Sequence, residues 1–118
     1  MYSEQIREHF ANPHNCGELQ DADGAGQAGE PGRGNYMIIW VELDGDCIAE
    51  GSYRTYGCPP AIAAGSIITE MAKGSSTEEA LNIPREQLIE AMGGLPLGRE
   101  HWAALTIKAL GDAVTCEE

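Results

Sequence analysis

The sequence predicts an α+β domain in which a small antiparallel sheet packs against helices, and three observations carry that expectation. Tyr36 to Leu43 is a β-branched and aromatic run, followed by Asp44-Gly45 and a second run from Asp46 to Gly57, which is a hairpin pattern. Helix-start and helix-stop signals then fill the second half of the chain. Strands come first and helices follow in a run, with none of the alternation that builds a parallel sheet. At 118 residues the chain is long enough for one core and short for two, so residues 1–118 are read as a single domain.

The elements follow in order. Ser3 caps a first helix carrying Ile6 and Phe10 on one face, and Asn12-Pro13 ends it because the residue before proline leaves the helical region. From there to Asn35 the chain is rich in glycine and other turn formers and reads as a loop with room for one short edge strand. A two-residue turn at Asp44-Gly45 would pair Leu43 with Asp46. That register sets Asn35 opposite Arg54, Arg33 opposite Tyr56, and Cys47 opposite Glu42 beside the turn. In strand 36–43, Tyr36, Ile38 and Trp40 share one face and Met37, Ile39, Val41 and Leu43 the other.

Beyond the sheet, Pro59-Pro60 opens a helix with Ile62, Ile67, Ile68 and Met71 as its apolar stripe, and Lys73-Gly74 closes it. Ser76-Thr77-Glu78-Glu79 fits a capping box for a short helix. Pro84 opens another with Leu88, Ile89 and Met92, ended by Gly93-Gly94. A last helix is expected from about Arg99 to Val114, with Trp102, Leu105 and Leu110 among its apolar positions.

Composition excludes several functions. Seven Lys and Arg against 19 Asp and Glu leave a net charge of −12, and no local basic patch offsets it, so nucleic acid is not an expected partner. No apolar run approaches the roughly 18 residues that span a bilayer, and the start lacks the pattern of a secretory signal. Four cysteines in that context indicate reduced thiols and a cytoplasmic location.

Cys58 is the most informative residue. It lies between a strand and a proline-started helix, where free backbone N–H groups and the positive helix end favour thiolate. A buried structural cysteine is the competing reading. His101, near the start of the last helix, is open to a metal-ligand, a proton-carrying or a plain surface role. His9 and His14 read as surface residues without a role. Cys16, Cys47 and Cys116 show no ligand spacing, and the glycines of 24–34 form no phosphate cradle.

A family resemblance enters on particular residues. Tyr2-Ser3-Glu4, His9-Phe10, Asn12-Pro13, Gly17-Glu18-Leu19 and Asp21-Ala22-Asp23-Gly24 resemble the opening of the IscU/NifU-type iron–sulfur cluster assembly scaffolds. The likeness continues through Thr55-Tyr56-Gly57-Cys58, Ala61-Ile62-Ala63, Ser66, Glu78-Glu79-Ala80-Leu81 and Ala91-Met92-Gly93-Gly94-Leu95-Pro96 to His101. It implies a SufE/NifU-like fold and a scaffold or carrier rather than an enzyme. In the family a 2Fe-2S cluster is assembled at one sheet end on three cysteines helped by an Asp and a His.

This chain departs from that pattern at the ligands. The family's Cys-Gly-Asp is here Arg33-Gly34-Asn35, and its His-Cys is here His101-Trp102. Cys58 and His101 are the retained positions for cluster, iron or zinc. The family's chaperone-recognition loop is reduced to Leu95-Pro96-Leu97-Gly98-Arg99.

Two donors fall short of the four that such centres commonly use, and the permanently cationic Arg33 repels metal ions. A monomer is therefore expected to hold a cluster weakly or not at all, while a homodimer would offer two Cys and two His. Arg33 near Cys58 also suits a persulfide, so Cys58 is a candidate acceptor of sulfur from a cysteine desulfurase. The alternative is a non-catalytic regulator or decoy that binds the assembly proteins.

Overall fold

The structure is a computed structural model, and the description covers residues 2–29, 36–56, 59–95 and 101–115. Three strands, β1 (Gly24–Gly29), β2 (Tyr36–Asp44) and β3 (Cys47–Tyr56), form an antiparallel sheet in the order β1-β2-β3. The helices are α1 (Glu4–Ala11), α2 (Pro59–Ala72), α3 (Thr77–Leu81), α4 (Arg85–Ala91) and α5 (His101–Thr115). This is the α+β arrangement expected, and β1 is the short edge strand within the glycine-rich stretch.

Local chemistry sets the helix ends. The Ser3 side chain accepts from the Ile6 N–H, and the Asn12 N–H closes α1 on the Glu8 carbonyl. At α3 the capping box is complete, with Ser76 Oγ accepting from Glu79 N–H at 3.0 Å and Glu79 Oε1 accepting from Ser76 N–H at 2.9 Å. Gly93 and Gly94 take positive φ after α4, which only glycine enters cheaply. Phe10 does not join Ile6 in the core and remains 46% exposed.

The hairpin corrects the expected register. Asp44 pairs with Cys47, so the turn is Gly45-Asp46 rather than Asp44-Gly45. Gly45 has φ +65°, while Asp46 is not among the positive-φ residues, as in a type II′ turn with glycine first. A shift between Glu42 and Leu43 then leaves Ala49 without a partner, a bulge that displaces the ladder by one more residue. Arg54 consequently faces Ile38, not Asn35; Tyr56 faces Tyr36, not Arg33; and Cys47 faces Asp44, not Glu42.

One face of the sheet carries the core. Met37, Ile39 and Val41 are buried under α2 and α5, and Gly24, Gly26 and Ala28 supply the buried face of β1. A methyl group on Gly26 would run into the Ala109 carbonyl and the Ala113 nitrogen and sit 2.9 Å from Asp112 Cβ, so α5 lies on β1 almost backbone to backbone. α2 is buried nearly all round by alanines, Gly65, Ile67, Ile68 and Thr69, while Ile62 and Met71 are only half-buried. It therefore acts as a central helix between β3 and α1 rather than one with a single apolar stripe. The other sheet face is partly open: Tyr36, Ile38 and Trp40 are half-buried, and the Arg54 guanidinium lies 5.9 Å from the centre of the Trp40 ring.

Candidate functional site

The strand ladder defines two ends of the sheet. Gly29, Tyr36 and Tyr56 meet at one end, and the Gly45-Asp46 turn marks the other. At this first end the described chain stops at Gly29 and at Tyr56 and resumes at Tyr36. Arg33, Asn35 and Cys58 themselves lie outside the described residues, as does Cys116. Cys47 is exposed at the turn, roughly 30 Å of strand from Tyr56, and so belongs to no site at that end.

Tyr56, 64% exposed, stacks on Tyr36 with ring centroids 6.4 Å apart and 12° between planes. The Thr55 hydroxyl donates to the Tyr36 carbonyl at 2.6 Å. These contacts hold the last residues of β3 against the first of β2, immediately before the segment that carries Cys58. Pro59 then opens α2, as its fixed φ favours at a helix start.

His101 is exposed at the first residue of α5, and Trp102 beside it is 1% exposed. Near its other end α5 meets α3 through Gly111 and Leu81, and α3 is bonded to the hairpin by the Thr77 N–H on the Asp46 carbonyl. His101 precedes Gly111 by ten residues, about 15 Å of helix, and so stands away from the hairpin. Of the two side chains at this corner, one reaches solvent and the other is committed to the core.

The structure also gathers residues that sequence reading passed over. His9 Nδ1 is 2.7 Å from Ser66 Oγ, and His14 Nδ1 meets the Glu70 carboxylate. No spacing along the chain announces this cluster, because its two histidines lie more than 50 residues from Ser66 and Glu70 and meet them only when the N-terminal segment packs on α2. Behind it, Tyr53 is fully buried with its hydroxyl unpartnered, and burial, with a smaller contribution from the Cys16 thiol, raises its pKa well above the ordinary tyrosine value.

Known proteins share both sequence and fold. Over 114 residues the chain is 44% identical to the iron-sulfur cluster assembly scaffold protein IscU 1 of Archaeoglobus fulgidus, spanning 97% of this chain and 74% of that protein. It is 38% identical over 117 residues to the scaffold protein IscU of Haemophilus influenzae, spanning 96% and 92% of the two chains. The crystal structure of a nitrogen-fixing NifU-like protein (N-terminal) from Brucella abortus matches with a TM-score of 0.72 at 16% identity, covering 95% of this chain and 90% of that one, a likeness of fold. The NifU-like N terminal domain family matches residues 1–116, and with these relatives it establishes that the chain belongs to that family.

Proposed function

We propose that this protein works in iron–sulfur cluster assembly as a scaffold-type member that carries a reduced ligand set. Relatives named as cluster assembly scaffolds align along almost its whole length, which supports the process. Cys58 and His101 are the donors retained at the family's cluster positions, and Arg33, Asn35 and Trp102 replace the others.

The burial of Trp102 is the observation that carries the reduced role. A side chain 1% exposed fills core volume, so the position where the family offers a thiol is spent on packing. One thiol and one imidazole per chain do not complete the four-donor shell of a 2Fe-2S cluster or a structural zinc. A single chain therefore does not fit a cluster in the family manner.

Sulfur handling at Cys58 follows as the second reading, favoured by the same Trp102 position. The Cys58 thiolate attacks the outer sulfur of a persulfide on a cysteine desulfurase. The donor's S–S bond breaks, its thiolate leaves, and Cys58 holds the sulfur as a persulfide with no net oxidation. Arg33 would stabilise the anion.

Two measurements test these readings. Anaerobic reconstitution with ferrous iron and sulfide should give far less than two irons per monomer; a coloured monomer with a full 2Fe-2S complement overturns the reduced-ligand reading. Mass spectrometry after incubation with desulfurase and cysteine should show one added sulfur, absent in Cys58→Ser. A protein that binds the desulfurase yet never gains sulfur is a docking regulator instead.

A further inference from the structure

We propose that His9, His14 and Glu70 form a binding site for a borderline divalent transition-metal ion of the Zn²⁺ type, separate from the family's cluster position. Their ligating atoms all lie within 4.8 Å of one another. Around a tetrahedral ion, ligand atoms stand roughly 3.4 Å apart, so the widest pair would close by ~1.5 Å or less while His14 Nδ1 and the Glu70 carboxylate, now in direct contact, would part to admit the ion. Two imidazoles and a carboxylate suit Zn²⁺, Co²⁺ or Ni²⁺, whereas Mg²⁺ and Ca²⁺ prefer oxygen alone.

The residues are held for this purpose by their neighbours. His9 Nδ1 bonds Ser66 Oγ at 2.7 Å, which leaves Nε2 as the free nitrogen, the arrangement that orients metal-bound histidines. Ser66 is fully buried on α2, and its Oγ also accepts from the His14 backbone N–H at 2.9 Å. One hydroxyl thus positions both histidines.

The loop bearing His14 is pinned on either side. Asn15, in the left-handed region at φ 62°, donates from Nδ2 to Thr69 Oγ1 at 3.2 Å and accepts at its carbonyl from the Tyr53 N–H at 3.1 Å. The Gly17 N–H donates to the Tyr53 carbonyl at 2.8 Å. The His9 and His14 rings lie 5.1 Å apart and tilted by 56°, so their nitrogens can converge without stacking.

The surroundings leave the ion reachable. His14, Asn15, Glu70 and Lys73 line a surface depression of about 410 Å³, through which a metal would enter and a water could take the fourth position. Lys73 is drawn off by its ion pair with Glu50 at 3.4 Å, which reduces its repulsion of an incoming cation. Glu70 lies eleven residues along α2 from Pro59, about 16 Å of helix, so it is not an extension of a site at Cys58. Bound metal would staple the α1–β1 connection to α2.

Cobalt titration of the purified full chain tests the site, because thiolate and imidazole–carboxylate ligation differ in their spectra. The expected result is one Co²⁺ per chain without strong sulfur-to-cobalt charge transfer, accompanied by paramagnetic broadening of the His9 and His14 ring signals. Affinity should fall by about tenfold or more in His14→Asn and in Glu70→Gln, both exposed positions, and persist in Cys58→Ser/His101→Asn. Absence of saturable binding, binding indifferent to His14→Asn and Glu70→Gln, or a thiolate spectrum lost in Cys58→Ser would overturn the site. The ring broadening is read on the unmodified protein, so it decides the matter even where a variant misfolds.

Discussion

His101 and Trp102 are chain neighbours with ring centroids 5.4 Å apart, yet His101 is exposed and Trp102 is buried. Successive residues on a helix point about 100° apart, so the first turn of α5 sends one ring to solvent and the other into the core. A single helical step thus separates an exposed imidazole from a residue that fills the core.

Placing a cysteine at 102, the ligand position proposed above, should therefore damage the protein before it helps any metal. Trp102→Cys removes most of a buried indole, and large-to-small changes of this kind cost about 3–5 kcal/mol. Urea unfolding should show the midpoint falling by that equivalent at unchanged slope. A midpoint within error of the parent would mean that the indole contributes little to the core.

Gly65 and Tyr53 give an independent check on the packing of α2 against β3. A Cβ on Gly65 would stand 2.6 Å from Tyr53 Cγ and 2.7 Å from Cε2, contacts that real side chains do not make. Gly65→Ala is expected to destabilise by about 1–3 kcal/mol through this overpacking, although alanine is the better helix former. Equal or greater thermal stability in the variant would show that the ring moves aside at no cost.

The capping box of α3 should be worth about 1 kcal/mol. Ser76→Ala removes the acceptor for the Glu79 N–H on a helix of only five residues, whose first turn then keeps the Thr77 N–H bond to the Asp46 carbonyl. Hydrogen exchange at Glu79 and Ala80 should accelerate in the variant. Unchanged exchange would assign the helix to packing on α5 and the bond to the hairpin.

Signals that act over three or four residues were readable in the chain: Ser3 and Ser76 at helix starts, Pro59 opening α2, and Gly93 after α4. The hairpin was readable, but its register was not, because Asp44-Gly45 and Gly45-Asp46 are both plausible turns until the strands choose where Gly45 sits. The bulge at Ala49 adds a shift that period-two patterning does not encode. The same limit covers Phe10, which shares the helical face of Ile6 yet stays exposed. At the candidate site, Arg33, Asn35 and Trp102 are legible as residue types, while the burial of Trp102 required the fold. The His9–His14–Glu70 grouping depends wholly on how α1 meets α2.

Tyr53 predicts how stability responds to alkali. Its phenol is fully buried, its hydroxyl meets no partner in good hydrogen-bond geometry although the Cys16 thiol lies near it, and it holds its proton well above the ordinary tyrosine value of roughly 10. The folded state therefore retains a proton that the unfolded chain releases. Tyr53 leaves unfolding unaffected below about pH 10 and makes it progressively easier as pH rises above that, since the unfolded state then binds fewer protons. Tyr53→Phe deletes both the titration and the unpaired hydroxyl, so the variant should match or exceed the parent by about 1 kcal/mol at neutral pH. Its urea midpoint should also decline less between about pH 9 and about pH 11. Parallel decline of the two proteins would place the alkaline sensitivity elsewhere in the chain.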